Sequence, residues 1–140
     1  TINSNQDIFE SKSILFNLTF GMEKINETTI KRINDYLELF GLENIIENLN
    51  ENVMSLSQGM MARIRIIRLI LLDKQIWILD EATANLDKEM EDIVIKKLKD
   101  IAKNKCKTVF FVSHTPSLQK YADKLYEIKD KKIILTELTK

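Results

Sequence analysis

The residues of this chain best suited to chemistry are an acidic pair, a single histidine, and a serine and a glycine that open a helix. Asp80 and Glu81 directly follow the apolar run Ile76-Trp77-Ile78-Leu79. A carboxylate fixed at a strand end can hold a hard Mg²⁺ ion, directly or through its waters. A second carboxylate one residue on points elsewhere and can orient or deprotonate a water. The plainer alternative is a strand end that is acidic only because loops are polar. His114 is the only histidine and follows a second apolar run, Thr108-Val109-Phe110-Phe111-Val112. A ring nitrogen placed there can hydrogen-bond charge that develops in phosphoryl transfer, although a lone histidine after a strand more often makes a structural hydrogen bond. Ser57 and Gly59 stand at the start of a helix that carries Arg63. Unpaired N–H groups and the helix dipole favour an anion there. Ser57 also suits a simple N-cap.

These residues need elements to hold them. Unalternated apolar runs at 76–79 and 108–112 predict strands buried on both faces of a parallel sheet. Met61, Ile64, Ile67 and Leu71 share one face of a helix that starts at Ser57 and ends near Asp73. Met90, Val94, Leu98 and Ile101 define another, with Asp87 as its cap. Ile30, Ile33, Leu37 and Phe40 mark a helix over 27–40, with Asn26 as N-cap and Gly41 as its stop. A short helix is expected within 42–49 and another within 117–122, after Pro116. A closing hairpin is expected around Asp130, from 124–128 and 133–138. Strand, helix, strand with apolar strands predicts an α/β fold with parallel pairing. In such sheets chemistry gathers beyond the carboxyl ends of the strands. Asp80-Glu81 and Ser113-His114 occupy those ends.

Bulk composition narrows the classes. With 140 residues, 44% hydrophobic and 30% charged, the chain is long enough for one cored domain. Lys+Arg and Asp+Glu are both 21, giving zero formal net charge, which argues against a nucleic-acid binder. One cysteine, Cys106, excludes an internal disulfide framework and reads as a plain thiol. The longest apolar stretch, 64–72, is interrupted by Arg65 and Arg68 and falls short of the roughly 20 apolar residues of a membrane span.

Taken together, the motifs resemble the ATPase domain of ABC transporters. Residues 78–87, Ile-Leu-Asp-Glu-Ala-Thr-Ala-Asn-Leu-Asp, are similar to that family's Walker B and D-loop segment. Leu56-Ser57-Gln58-Gly59-Met60 stands where the family keeps its signature, with Arg63 and Arg68 following. Val112-Ser113-His114 resembles its switch loop, and Gln6 with Ile14-Leu15-Phe16-Asn17-Leu18 and Gly21 its Q-loop segment. The resemblance covers essentially the whole chain. It implies a partial P-loop NTPase fold of ABC type, a parallel sheet with a helical signature subdomain. Residues 1–55 would form the Q-loop and helical part, and residues 56–140 the signature helix, Walker B, D-loop, switch histidine and hairpin.

The resemblance also implies roles. Glu81 and His114 would act on the attacking water and the γ-phosphate. Asp80 would hold Mg²⁺, with Gln6 touching the metal or its water. Ser57, Gln58, Gly59 and Asp87 would serve ATP bound by a second ATPase domain in a head-to-tail dimer. A transmembrane transport domain, in the same chain or a separate subunit, would place the protein at the cytoplasmic face of a membrane. Glu81-Ala82-Thr83, Phe9 and Ser13-Ile14 through Asn17-Leu18 look more like exporters than importers.

The chain departs from the pattern in places. Gln58 replaces the signature's second glycine, Met60 its closing glutamine, and Ala84-Asn85 the commoner Ser-Ala. A phosphate-cradling P-loop needs glycines before Gly-Lys-Ser/Thr. The only glycines are Gly21, Gly41 and Gly59, none before a lysine, so this chain alone is expected to be inactive. In the family the P-loop strand lies between the histidine strand and the C-terminal strands, and its absence would leave the sheet short of a neighbour. A piece of a longer protein, half of a split ATPase and a truncated gene are the explanations, and the intact motifs favour the first. The rivals are the C-terminal lobe of a chromosome-maintenance or DNA-repair ATPase, which would need a long coiled coil before the signature, and a non-catalytic regulatory half.

Overall fold

The computed structural model describes residues 2–3 and 8–136. Helix α1 (Ile14–Thr19) is capped by Ser13, and α2 (Glu27–Leu39) by Asn26, whose side chain accepts from the Thr29 N–H. The end of α2 is set by Gly41 at φ 67°. Leu42 N–H donates to Leu37 C=O and Gly41 N–H to Glu38 C=O, the paired bonds of a Schellman ending. Short 3₁₀ turns at Glu43–Asn48 and Val53–Ser55 lead into α3 (Gln58–Leu71).

Strand β2 (Ile76–Asp80) follows, then α4 (Lys88–Asn104), β3 (Thr108–Val112), a 3₁₀ turn at Pro116–Tyr121, and the strands β4 (Leu125–Lys129) and β5 (Lys132–Thr136). With β1 (Ile2–Asn3), β2 and β3 form a parallel sheet in the order β1-β2-β3. Among the described residues the last two strands pair only with each other, antiparallel, across a turn in which Asp130 and Lys131 both have positive φ, the requirement of a two-residue type I′ hairpin. The expected outer end of that hairpin, residues 137–138, lies outside the described residues.

The helical half and one sheet face share a single core. Ile14, Leu18, Ile33, Leu37, Phe40, Leu42, Ile64 and Ile67 are almost fully buried, and Trp77 and Leu79 join them from β2, with Val94 and Leu98 from α4. The expectation of strands buried on both faces is corrected. Along β2 the pattern alternates, with Trp77 and Leu79 buried but Ile76 56% and Ile78 36% exposed. On β3, Phe110 and Val112 are about half exposed on the same face, because Ile78 pairs with Phe110 and Asp80 with Val112. Among the described residues nothing covers this face, and β3 pairs with β2 alone. The runs are apolar throughout because both faces are built for burial, yet only one is buried by this chain's own helices.

Candidate functional site

Register brings the chemistry together. Strands β2 and β3 run in parallel with Asp80 opposite Val112, so the loops that follow them leave the same end of the sheet. His114 Nε2 lies 3.2 Å from Glu81 Oε1. His114 is largely exposed and Glu81 partly so, which leaves both open to a ligand. Ser113 Oγ accepts from the Thr115 N–H at 3.0 Å and closes a tight turn around His114.

Glu81 has φ 47°, a left-handed conformation that costs a non-glycine residue roughly 1–2 kcal/mol. Its N–H donates to Val112 C=O at 3.0 Å, so the ladder runs one residue past β2, and its C=O accepts from Ala84 N–H at 3.1 Å. Thr83, buried in the loop beyond, donates its hydroxyl to Glu91 Oε1 on α4 at 2.6 Å. Asp87 caps α4 by accepting from Met90 N–H at 2.8 Å, the role expected of it.

Ser57 is exposed and accepts from Met60 N–H at 3.2 Å, so the N-cap reading holds for the molecule as it stands. Gln58, also exposed, lines a recess of about 260 Å³ with Ile8, Glu10, Met54, Met61 and Arg65. Gly59 shows a constraint that its place in the sequence does not. A Cβ there would meet the Asn85 carbonyl oxygen at 3.3 Å and Leu86 at 3.6 Å. Gly59 thus lets α3 approach the loop between Glu81 and α4 closely, and a side chain there would push against the Asn85 carbonyl by a few tenths of an ångström.

Arg63 ties the helices to this region. Its Nη1 donates to the carbonyls of Phe40 (2.9 Å) and Gly41 (3.0 Å), and its Nε to Gly59 C=O (3.2 Å). Burial pulls its pKa down, against the opposing charges of Asp87 and Glu43. Gln6 lies outside the described residues. The segment just after it is held by Asn17, a buried residue whose side chain accepts from Phe9 N–H at 2.8 Å and donates to the carbonyls of Phe9 and Ser13. Asn17 has no task in the sequence beyond its place in the 14–18 motif; a polar residue inside an apolar helix is the signal that points to one.

The donor set limits what metal the site can take. Among the described residues no group of three or more His, Cys, Asp or Glu side chains could hold a metal ion by itself. Mg²⁺ is commonly held by one or two carboxylates and completed by water and phosphate oxygens. Asp80, half-buried at the end of β2, fits that kind of binding.

A parallel sheet with carboxylates and an imidazole beyond its strand ends, and a helical part alongside, defines an α/β domain whose polar side chains gather at the carboxyl end of the sheet. The family model described as "ABC transporter" matches residues 1–84. This chain belongs to the ABC transporter family. It is 31% identical over 130 residues to "Multidrug resistance protein 1" of Plasmodium falciparum, covering 89% of this chain and 9% of that protein. It is 32% identical over 136 residues to "ATP-dependent lipid A-core flippase" of Desulfotalea psychrophila (94% and 23%). With "ABC transporter B family member 21" of Arabidopsis thaliana it shares 33% over 139 residues (94% and 10%). The chain thus spans less than a quarter of the length of these relatives. A metal-chelate type ABC transporter solved in an inward-facing conformation superposes with a TM-score of 0.75 at 23% identity, over 97% of this chain and 56% of that one, which shows the shared fold. Among the described residues no helix is long and apolar enough to cross a membrane.

Proposed function

We propose that this chain supplies the hydrolytic and signature parts of an ATPase domain that powers transport across a membrane, of exporter type. The observation that carries the reading is the approach of Glu81 and His114 at the carboxyl end of the parallel sheet. The flippase and multidrug-resistance names of its relatives support the transport class.

ATP is the substrate. Glu81 orients the attacking water and takes its proton as oxygen bonds to the γ-phosphorus. The bond to the β-phosphate oxygen breaks, and ADP and phosphate leave. His114 donates a hydrogen bond to the γ-phosphate as charge builds on it. Asp80, with Gln6, would hold Mg²⁺, which neutralises phosphate charge when bound. Ser57, Gln58 and Gly59, with Asp87 behind them, face the nucleotide of a second ATPase domain docked head to tail. Binding there would draw the Ser57 hydroxyl from Met60 N–H to a phosphate oxygen. The P-loop comes from polypeptide outside this sequence, and a transmembrane transport domain, in the same chain or another, places the assembly at the cytoplasmic face of a membrane.

The test is reconstitution. Joined to a P-loop-bearing segment, the chain should hydrolyse ATP with Mg²⁺. Glu81→Gln should lower kcat by about 10²–10⁴-fold while ATP still binds. An assembly that binds ATP and turns it over equally with Gln at position 81 would refute the reading.

A further inference from the structure

The left-handed backbone of Glu81 has to be held, since a glutamate there returns to an extended or right-handed conformation unless its surroundings prevent it. Hydrogen bonds tie it and the loop after it from several sides. Glu81 N–H is fixed to β3 through Val112, and Ala84 N–H returns to Glu81 C=O. Leu86 N–H returns to Thr83 C=O, and Glu91 N–H to Asp87 C=O. Among the described residues, the side-chain link that anchors the middle of this loop to α4 is the 2.6 Å bond from the Thr83 hydroxyl to Glu91. Thr83 is 2% and Glu91 6% exposed, so little water competes for the bond.

The adjacent residue of α4 serves the other loop. Asp92 Oδ2 accepts from the Tyr121 hydroxyl at 2.6 Å, and Asp92 Oδ1 lies 2.6 Å from Lys120 Nζ. Tyr121 ends the short 3₁₀ turn that follows His114. Consecutive acidic residues on one helix thus hold the loop after Glu81 and the segment after His114.

We propose that α4 is the positioning element of the Glu81–His114 pair. Glu91, acting through Thr83, keeps the backbone of Glu81 left-handed and its carboxylate toward the imidazole, while Asp92 fixes the distance of the His114 segment. This inference rests on the hydrolytic reading above. Glu91, Asp92 and Thr83 act here as positioning residues: Thr83 and Glu91 are buried and bonded to each other, and Asp92 is held by Tyr121 and Lys120.

The test uses the assembly of this chain with a P-loop-bearing segment and reads two quantities. The first is ATP turnover. Thr83→Val keeps the volume and removes the hydroxyl; it should lower kcat by about tenfold or more and leave the KM for ATP within about twofold. Thr83→Ser, which restores the donor, should recover most of the rate. Because Thr83→Val strands a buried carboxylate, Thr83→Val with Glu91→Leu is made as well. It removes both polar groups and should regain thermal stability without regaining kcat.

The second quantity is the φ of Glu81, from three-bond couplings and backbone shifts; it should leave the positive range in both valine variants. Turnover in the valine variants within about threefold of the parent, or a Glu81 φ that stays positive, overturns the proposal. An unsubstituted assembly that turns over no ATP refutes the hydrolytic reading, and the φ measurement then still decides whether Thr83 and Glu91 hold the backbone.

Discussion

The two halves of this molecule are finished to different degrees. In the helical half, α1, α2 and α3 bury Ile14, Leu18, Ile33, Leu37, Ile64 and Ile67 against one another, and each helix begins with a capping side chain. In the sheet half, Ile76, Ile78, Phe110 and Val112 expose an apolar face, and Ile128 and Ile133 of the hairpin are 81% and 73% exposed. Apolar side chains thus serve packing within the chain in one half, and in the other they form a face that the described residues leave uncovered. Asp80 lies on that open face by alternation, and the site is open on the side where the sheet is.

The comparison can be broken by mutation. Leu37→Ala in the closed half should destabilise the chain by about 2–5 kcal/mol, whereas Phe110→Ala on the open face should stay within about 0.5 kcal/mol. Urea titration of the isolated chain measures both. Equal losses would mean that the sheet face is covered after all. In an assembly where a P-loop-bearing segment pairs with β3, as the proposed function requires, the Phe110 cost should rise toward that of Leu37.

A smaller effect separates the two roles of Ser57. Ser57→Ala removes the cap of α3 and should cost about 1 kcal/mol in the same titration; Ser57→Asn, which also caps, should restore stability. If Ser57 also meets phosphate across a dimer, Asn will not restore turnover. A variant that regains both would leave Ser57 a cap and nothing more.

The smallest effect concerns the junction of the halves, where Asp73 ends α3. Burial raises its pKa, but the hydrogen bonds and charges of Lys105 and Lys107 outweigh this and hold the carboxyl below the ordinary carboxylate range. A depressed folded pKa contributes stability above the unfolded value, and that contribution is lost as pH falls through the folded one. Asp73 has φ 51°, a left-handed conformation that asparagine also tolerates. Asp73→Asn should therefore be slightly less stable than the parent at neutral pH, by under about 1 kcal/mol because the carboxylate itself is half exposed. The difference should close in acid. A gap independent of pH would remove the ion pairs from the account.

What could be read in advance follows from how local each signal is. The caps Asn26, Ser57 and Asp87, the stop at Gly41 and both strand ends were legible because each depends on a few neighbouring residues. Helix α1 was seen only as part of a motif, since six residues show too little periodicity. The apolar runs did predict strands, but which faces are covered depends on elements elsewhere. The left-handed Glu81 was invisible, because nothing in a glutamate signals positive φ. The bonds Thr83–Glu91 and Asn17–Phe9, and the close approach of Gly59 to the Asn85 carbonyl, exist only once separate segments are brought together. The approach of Glu81 to His114 was expected from the adjacency of their strands, and the distance is the structure's addition.

In the proposed reaction Glu81 and His114 act as one unit, and a double-mutant cycle decides whether they do. Single-turnover ATP hydrolysis would be measured in the reconstituted assembly for the parent, Glu81→Gln, His114→Ala and the double variant. A working pair predicts that the double variant is barely slower than the worse single one, far from the product of the two losses. Losses that multiply would show the two side chains to be neighbours acting independently.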